Sequence, residues 1–287
     1  MSTLRKKVDL GFGMPGRMAN FSMALEEGGK PDQFLLDHFN NRMCYEAEVM
    51  WPMVRILKEG DTAIDVGANI GFFTLAMSRL VGETGRIIAY EPGESNIEHL
   101  KLHLQMNEIK NVTLIEKPVW CREEEVTFYI NRDDRSSNAL CDPGNFPTNV
   151  QSRANPFTIK MQAAMLRAVP VPVESIKLVK IDTEGAEQKV LEGAKYLLVN
   201  GVPYILCELN PFGIPQFGDS IEGLRDFMMG FGYSTFFLHP TDLLPSLVPH
   251  STKIDFIMDP TYNVPTVSNV MFSTIENVAK AWPEMKG

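Results

Sequence analysis

An apolar segment ends in a turn that contains two glycines and a carboxylate. Backbone and side-chain groups can therefore both contact a ligand there. The stretch DVGANIG, residues 65–71, follows an apolar run and places Gly67 and Gly71 in the turn. Without a Cβ, each glycine can adopt a positive φ or let a ligand lie against the main chain. The amides that open the following helix favour a partial negative charge. We therefore predict that this turn binds part of a small molecule.

The spacing within the turn separates phosphate ligands from other ligands. A dinucleotide fingerprint would read G-x-G-x-x-G, and a P-loop would read G-x-x-x-x-G-K-[ST]. This turn reads D-x-G-x-x-x-G and contains no lysine. Glu91 closes the next strand-like segment, where a carboxylate can accept hydrogen bonds from both hydroxyls of a ribose. A nucleoside without phosphates suits both features, and S-adenosylmethionine is such a ligand.

Three more carboxylates stand at or just after the ends of later apolar segments. Asp182 ends SIKLVKID, Glu184 follows two residues on, and Glu208 lies at the end of VPYILCEL. The carboxyl ends of parallel strands share one edge of a sheet, so these side chains should converge. Methyl transfer to a hydroxyl needs alignment and removal of the acceptor's proton, by a base or a metal ion. We expect the three carboxylates to serve that step.

Simpler explanations exist for the same carboxylates. Asp182 can be the amino-terminal cap of the next helix, and Glu184 and Glu187 can stand in its first turn, where negative charge is favoured regardless of function. We interpret Glu187 as structural. Carboxylates also bind Mg²⁺ or Ca²⁺, and spacing leaves the metal requirement open.

Other candidate site residues lie in less regular segments. His239 follows the sixth predicted strand and is a further candidate base, whereas the other four histidines are expected to be solvated. Candidate contacts to a polar acceptor such as a sugar open a segment rich in Asp, Asn, Ser and Pro: Arg135, Ser136, Ser137 and Asn138. A plain solvated loop is the alternative for that segment.

From residue 61 onward, strand-like and helical patterns alternate, which is typical of a largely parallel sheet. Strands are predicted at TAIDV, GRIIAYE, NVTLIE, SIKLVKID, VPYILCEL and GYSTFFL, with either KIDFIM or SNVMFST as the last. EEVTFYIN alternates cleanly and is predicted as an additional strand near an edge. Residues 132–172 are predicted to form a long irregular insertion. Residues 1–60 show no strand pattern and are predicted to form a helical cap.

Composition excludes several classes of protein. A chain of 287 residues can bury a real core, and its four scattered cysteines favour neither disulfides nor a structural zinc site. A net charge of −9, with 36 acidic and 27 basic residues, argues against binding to duplex nucleic acid. We find neither a signal peptide nor an apolar run of about 18 residues. We therefore expect a cytoplasmic protein without a membrane span.

Three segments, taken in order, resemble the FkbM family of class I methyltransferases. They are EAEVMWPMVRILKEGDTAIDVGANIGFFTLA, AYEP and VKIDTEGAEQKVLEGA, and the resemblance spans residues 45–209. It implies S-adenosylmethionine as methyl donor, S-adenosylhomocysteine as product, and a doubly wound Rossmann-like α/β sheet of about seven strands with the last antiparallel. The predicted cofactor site comprises Glu46, Asp65, Gly67, Ala68, Asn69, Gly71, Thr74, Glu91, Pro92, Val119 and Asp182, with Tyr45 beside Glu46 able to cover the cofactor.

These observations predict one methyltransferase domain, residues 61–287, behind the cap of residues 1–60. Since the family is similar to O-methyltransferases of sugars and natural products, we expect methylation of a hydroxyl on a saccharide or secondary metabolite. The alternatives are an N-methyltransferase acting on a peptide or amide, and a catalytically silent cofactor-binding or interaction module. The insertion departs from the family pattern, so the acceptor stays open, as does the oligomeric state.

Overall fold

The computed structural model describes residues 5–14, 17–28, 32–131, 134–146, 156–166, 171–240, 244–254, 256, 258 and 265–286. Its strands are β1 (Arg5–Met14), β2 (Arg17–Glu26), β3 (Thr62–Val66), β4 (Arg86–Tyr90), β5 (Val112–Ile115), β6 (Glu125–Ile130), β7 (Phe157–Gln162), β8 (Ile176–Ile181), β9 (Tyr204–Leu209), β10 (Ser234–Leu238), β11 (Pro245–Val248) and β12 (Ser268–Ser273). Its α-helices are α1 (Asp32–Asn40), α2 (Ala47–Ile56), α3 (Phe72–Val81), α4 (Glu94–Met106), α5 (Glu187–Gly193), α6 (Lys195–Val199), α7 (Ile221–Gly230) and α8 (Ile275–Ala281).

Eight of the described strands form the central sheet, in the order β11-β10-β12-β9-β8-β3-β4-β5. Strands β9, β8, β3, β4 and β5 are parallel. Strand β12 is antiparallel to both of its neighbours, β9 and β10. The predicted Rossmann-like α/β sheet with an antiparallel last strand is confirmed, and SNVMFST supplies that strand. Strand β11 adds one antiparallel strand at the edge beyond the predicted number.

The central strands form because their segments are apolar on both faces. Every residue of β3 and β9 is buried, as expected for parallel strands covered by helices on both sides. Helices α2 and α3 pack into the core on one face, and α5, α6 and α7 pack into the core on the other. Within the described ranges, none of the helices has the length and apolar character needed to cross a membrane.

An antiparallel hairpin of β1 and β2 corrects the prediction of a purely helical cap. The two strands pair from Arg5 with Glu26 to Met14 with Arg17, while α1 and α2 confirm only the later helices. Buried side chains recur at every second residue of β2, at Ala19, Phe21, Met23 and Leu25, with Ala24 buried in addition. The four alternating residues join the core around α3. This alternation is a strand signal that the sequence interpretation missed.

The segment after β5 also differs from its prediction. Strand β6 pairs antiparallel with β7 in a separate two-stranded sheet, so it does not extend the central sheet. Strand β7 lies inside the insertion that was predicted to be irregular, and its side chains are mostly exposed. Its sequence FTIKMQ alternates apolar and polar residues, a strand signal that the composition of the surrounding segment obscured. Residues 132–133, 147–155 and 167–170 of the insertion lie outside the described residues.

Candidate active site

A cavity of about 530 Å³ lies at the carboxyl ends of the central parallel strands. Ligands of open parallel sheets bind at this edge. The cavity brings together these predicted site residues: Glu46, Gly67, Asn69, Glu91, Pro92, Val119, Arg135, Ser136, Asn138, Asp182, Glu184 and Glu208. An adjoining cavity of about 160 Å³ is lined by Ala68, Gly67 and Asp182, among others.

The turn after β3 holds a tight conformation for which glycine is required. Gly67 has φ +79°, and a Cβ on it would lie 1.7 Å from the carbonyl oxygen of Asp182. The amides of Gly67 and Ala68 both donate to the Tyr90 carbonyl at 3.0 Å. Gly71 has φ +96°, and a Cβ there would lie 2.3 Å from a side-chain carbon of Leu100. Close packing against neighbouring elements, rather than a ligand, therefore explains both glycines.

Glu91 is buried and ties the turn to the following helix. Its Oε2 accepts from the Asn69 amide at 2.8 Å, and its Oε1 accepts from the Gly93 amide at 2.8 Å and from Asn96 Nδ2 at 3.2 Å. Burial raises the pKa of Glu91 to about 7. Because each carboxylate oxygen can accept two hydrogen bonds, Oε2 retains the capacity to accept one ribose hydroxyl.

Three carboxylates converge beyond the turn, as the sequence predicted. Oxygens of Asp182, Glu184 and Glu208 all lie within 4.8 Å of one another. Lys180 Nζ donates to Asp182 Oδ2 at 3.0 Å, and Asn210 Nδ2 donates to Glu184 Oε2 at 2.8 Å. Burial, followed by the charge of Asp182, raises the pKa of Glu184 and of Glu208 well above the ordinary range. The site therefore gathers more negative charge than its described cations neutralise.

The helix-end explanations do not account for Asp182 and Glu184. Helix α5 begins at Glu187 without a side-chain cap, so both residues precede it. Glu187 itself is buried, and its Oε1 accepts from the amides of Thr183 at 3.1 Å and Gly185 at 2.9 Å. These contacts are consistent with the structural role expected for Glu187. Asp182 and Glu184 instead face the cavity, where Lys180 and Asn210 contact them.

Glu46 reaches the cavity from the start of α2. It has φ +42°, and Asn69 and Glu184 also have positive φ. All three line the cavity, and backbone strain of this kind clusters at functional sites. Burial, followed by the charge of Asp182, raises the pKa of Glu46 to about 7. Its neighbour Tyr45 also lines the cavity, consistent with its predicted covering position.

Five predicted residues, Asp65, Gly71, Thr74, Ser137 and His239, line neither cavity. Thr74 Oγ1 donates to the buried Asp65 Oδ2 at 2.5 Å, which fixes the start of α3 against β3. Ser137 is buried, and its hydroxyl accepts from Asn131 Nδ2 at 2.9 Å. His239 packs against Phe237, with ring centroids 4.6 Å apart. The geometry therefore gives His239 no support as a base.

The insertion contributes one wall of the cavity. Arg135 forms an ion pair with the buried Asp32 at the start of α1. The Ser136 amide donates to Asp134 Oδ1 at 3.1 Å, and Asn138 Oδ1 accepts from the Asn131 amide at 2.8 Å. These polar groups hold the loop in place at the same time as they face the cavity.

A family comparison decides what kind of protein carries this cavity. The family model described as "Methyltransferase FkbM domain" matches residues 65–235, more than half of the chain. The chain belongs to the FkbM methyltransferase family. It is therefore an S-adenosylmethionine-dependent methyltransferase, as its sequence predicted.

Solved structures similar to this FkbM methyltransferase are distant in sequence. Methyltransferase FkbM from Methylobacillus flagellatus KT has a TM-score of 0.45 and 12% identity, over 82% of this chain and 57% of that one. Precorrin-6y C5,15-methyltransferase from Geobacter metallireducens GS-15 has a TM-score of 0.42 and 13% identity, over 79% of this chain and 87% of that one. Aeropyrum pernix fibrillarin with bound S-adenosyl-L-methionine has a TM-score of 0.39 and 14% identity, over 79% of this chain and 72% of that one. Comparison with the curated proteins finds no match.

The sequence interpretation of this methyltransferase missed several residues of the site. Lys180 is buried beneath the cavity, with Nζ 3.8 Å from Asp65 Oδ1 and 3.0 Å from Asp182 Oδ2. Burial alone would lower the pKa of Lys180, but Asp182 and Asp65 raise it above its usual value. A lysine inside the apolar run KLVKID was the available signal, because a buried charge needs a partner.

Two histidines were wrongly predicted to be solvated. His99 and His103 are buried, and His103 Nδ1 lies 2.7 Å from the Ile70 carbonyl oxygen while its Nε2 lies 3.1 Å from the Ala24 amide nitrogen. The unpredicted hairpin covers this face of α4, which explains the error.

We expect Glu91→Ala to weaken S-adenosylhomocysteine binding by roughly 10-fold to 100-fold, since charge-assisted hydrogen bonds contribute about 1.5–3 kcal/mol each. The variant also frees the Asn69 and Gly93 amides, which loosens the turn. Isothermal titration calorimetry measures the affinity, and circular dichroism controls for folding. Unchanged affinity in a folded variant would show that the ribose is held elsewhere.

The raised pKa of Glu91 also predicts a pH dependence. A ribose hydroxyl bound to Oε2 would donate to the ionised carboxylate, so protonation would compete with binding below the pKa of about 7. We expect the dissociation constant for S-adenosylhomocysteine to rise by up to about tenfold per pH unit below 7 and to level off above it. Glu91→Gln should remove this slope, and Glu46→Gln, the control with a similarly raised pKa, should retain it. The reverse pattern would assign the titration to Glu46.

Proposed function

We propose that this methyltransferase transfers the methyl group of S-adenosylmethionine to a hydroxyl of a saccharide or secondary metabolite. One observation carries the proposal: the carboxylates of Glu46, Glu184 and Glu208, all with raised pKa values, face the same cavity. A carboxylate whose pKa lies near neutrality, as that of Glu46 does at about 7, is partly ionised at neutral pH and takes a proton more readily than an ordinary carboxylate. An alcohol acceptor needs such a base because its proton must leave during transfer.

The proposed arrangement assigns opposite ends of the cavity to the two substrates. Glu91 and Pro92 would hold the ribose, and Gly67 and Asp182 would lie beside the part of the cofactor that supplies the methyl group, near the carboxylates at the ends of β8 and β9. Holding the acceptor oxygen, the methyl carbon and the sulfur in line supplies much of the acceleration in a displacement of this kind.

The step balances with the groups present in the cavity. The acceptor oxygen forms a bond to the methyl carbon while the carbon–sulfur bond breaks and its electron pair returns to sulfur, giving S-adenosylhomocysteine. The hydroxyl proton passes to a carboxylate. Asp182 is paired with Lys180, so we assign proton acceptance to Glu46, whose pKa burial raises to about 7, and orientation of the acceptor to Asp182.

The proposal of a polar, uncharged acceptor follows from the cavity walls. Carboxylates line one side, and Arg135, Ser136 and Asn138 line the side formed by the insertion. Sugar hydroxyls can donate to the first group and can donate to or accept from the second. With 36 acidic residues against 27 basic ones, electrostatics disfavour duplex nucleic acid as the acceptor.

A matched pair of acceptors tests the proposal. The protein is incubated with S-adenosylmethionine labelled with ¹³C in its methyl group and with a sugar or its amino-sugar counterpart, which differ only in the acceptor atom. We expect the label on oxygen, identified by product mass and by the carbon NMR shift. Label on nitrogen alone would assign an N-methyltransferase. No transfer to any acceptor by a protein that binds S-adenosylhomocysteine would support the silent cofactor-binding module instead.

A further inference from the structure

The carboxylates of Asp182, Glu184 and Glu208 are arranged as a ligand set. One oxygen from each lies within 4.8 Å of the others, so a single small ion can contact all three. Asp182 and Glu184 follow β8, and Glu208 belongs to β9, the parallel strand beside it. The adjacent strands therefore fix the spacing of the three groups. All three also line the main cavity, which leaves one side open to small molecules.

Glu208 supplies an independent sign that a ligand is required. Only 8% of the residue is exposed, and its Oε1 is buried without a hydrogen-bond partner among the described residues. Leaving a buried carboxylate oxygen unpaired costs several kcal/mol in general. The carboxylate nevertheless lies at the cavity, within reach of the other two. A cation placed among the three groups would satisfy this oxygen.

Neighbouring groups do not supply the missing positive charge. Lys180 contacts one oxygen of Asp182 and is shared with Asp65, and Asn210 occupies only one oxygen of Glu184. Glu46 adds a further carboxylate to the cavity. The charges of Glu46, Asp65 and Asp182 act on Lys180, and those of Asp182, Glu184, Glu46 and Glu187 act on Glu208. Arg135, on the far wall, is already paired with Asp32.

We propose that Asp182, Glu184 and Glu208 bind one divalent cation of the Mg²⁺ class. The donor set contains only carboxylate oxygens, which suit Mg²⁺, Mn²⁺ or Ca²⁺ rather than zinc or copper. Mg²⁺ in particular keeps water or substrate oxygens beside a few carboxylates. The open side of the cavity provides room for those ligands, so an acceptor oxygen can reach the cation.

A second acidic cluster provides a comparison, because its carboxylates do not require a cation. Glu26, Asp32 and His99 also lie close together near the hairpin. There, Asp32 pairs with Arg135, and its Oδ2 accepts from the Glu26 amide at 2.8 Å. His99 Nε2 lies 3.4 Å from Glu26 Oε1. Arginines already pair with both carboxylates, Arg135 with Asp32 and Arg5 with Glu26, so we assign no cation to this cluster.

Binding of Mn²⁺ alone tests the proposed site without cofactor or acceptor. Free Mn²⁺ is measured by electron paramagnetic resonance during titration of the purified full chain, after treatment with a chelator. We expect one site per chain. Because loss of an outer partner of a metal ligand already weakens binding 10–100-fold, Glu208→Gln should weaken it by at least about tenfold. Mg²⁺ should compete for the same site.

Matched variants distinguish loss of the cation site from a general loss of negative charge and from misfolding. Glu222→Gln removes an exposed carboxylate, and Glu26→Gln alters the second cluster; both should bind Mn²⁺ as the unmodified protein does. Affinity for S-adenosylhomocysteine, which depends on Glu91 at the other end of the cavity, shows that the Glu208→Gln variant remains folded. Mn²⁺ should raise the melting temperature of the unmodified protein and leave that of Glu208→Gln nearly unchanged.

Two results would overturn the proposal. One is the absence of Mn²⁺ binding at millimolar concentrations, and the other is binding that Glu208→Gln leaves intact. If Mn²⁺ does not bind and Glu208→Gln weakens S-adenosylmethionine but not S-adenosylhomocysteine, the carboxylates serve the positive sulfonium instead. The titration contains no acceptor, so transfer to nitrogen would refute the proposed function and leave the cation site standing.

Discussion

Gly67→Ala should lower the free energy of unfolding by about 2–5 kcal/mol and abolish measurable cofactor binding. The left-handed conformation at φ +79° costs an alanine about 1–2 kcal/mol. The larger effect comes from the Asp182 carbonyl oxygen, 1.7 Å from the position of the new Cβ. Either the turn or the end of β8 must move, and both line the cavity. Urea denaturation and calorimetry with S-adenosylhomocysteine measure the two effects.

Gly201→Ala is the matched control for this prediction. Gly201 has a similar φ of +70°, but a Cβ there meets no atom within 4 Å. We expect this variant to lose only the conformational cost, about 1–2 kcal/mol, and to bind the cofactor normally. Equal losses of stability in the two variants would show that the close approach of β8 to the turn does not matter.

Asp182→Asn should lower turnover by roughly 10²–10⁴, with only a slight change in cofactor affinity. Asparagine is nearly the same size as aspartate, but it carries no negative charge with which to orient the acceptor hydroxyl and is not a strong metal ligand at neutral pH. Lys180 retains Asp65 as an ionic partner, 3.8 Å away, so the substitution need not unfold the strand end. Single-turnover rates and S-adenosylhomocysteine affinity separate the two effects.

Two outcomes would contradict this assignment of Asp182. Near-normal turnover would leave orientation of the acceptor to Glu184 or Glu208. Loss of cofactor binding by a folded variant would mean that Asp182 faces the cofactor rather than the acceptor. Glu192→Gln, on the outer part of α5, controls for the effects of mutagenesis and purification. We expect it to retain both turnover and cofactor affinity.

The sequence predicted the central sheet because its strands and helices carry distinct hydrophobic periods. Strands such as β3 and β9 are continuously apolar, and α3 follows at helical spacing. The hairpin was harder to detect because β1 is largely exposed and contains Gly11 and Gly13. The choice between KIDFIM and SNVMFST depended on pairing with β9 and β10, which a local pattern does not contain.

The sequence predicted those site residues whose role depends on their position along one strand. It missed the contacts that depend on which strands are neighbours in the sheet. Carboxylates at the ends of β8 and β9 had to meet once the sheet was parallel. The second partner of Lys180 followed only from the observed pairing, in which Asp65 on β3 lies beside it across the sheet. Similarly, Arg135 gave no local sign that it would contact Asp32, which lies 103 positions earlier in the chain.

That ion pair has a consequence for protein engineering. Asp32 introduces α1, which lines the cavity through Phe34 and His38, and Arg135 introduces the wall formed by the insertion. A chimaera could take residues 132–172 from a relative in order to change the acceptor. It would then carry the relative's residue at position 135 without the partner that this residue contacts at position 32. We expect such grafts to succeed when the segment around Asp32 is transplanted with the insertion, and positions 32 and 135 to covary among homologues.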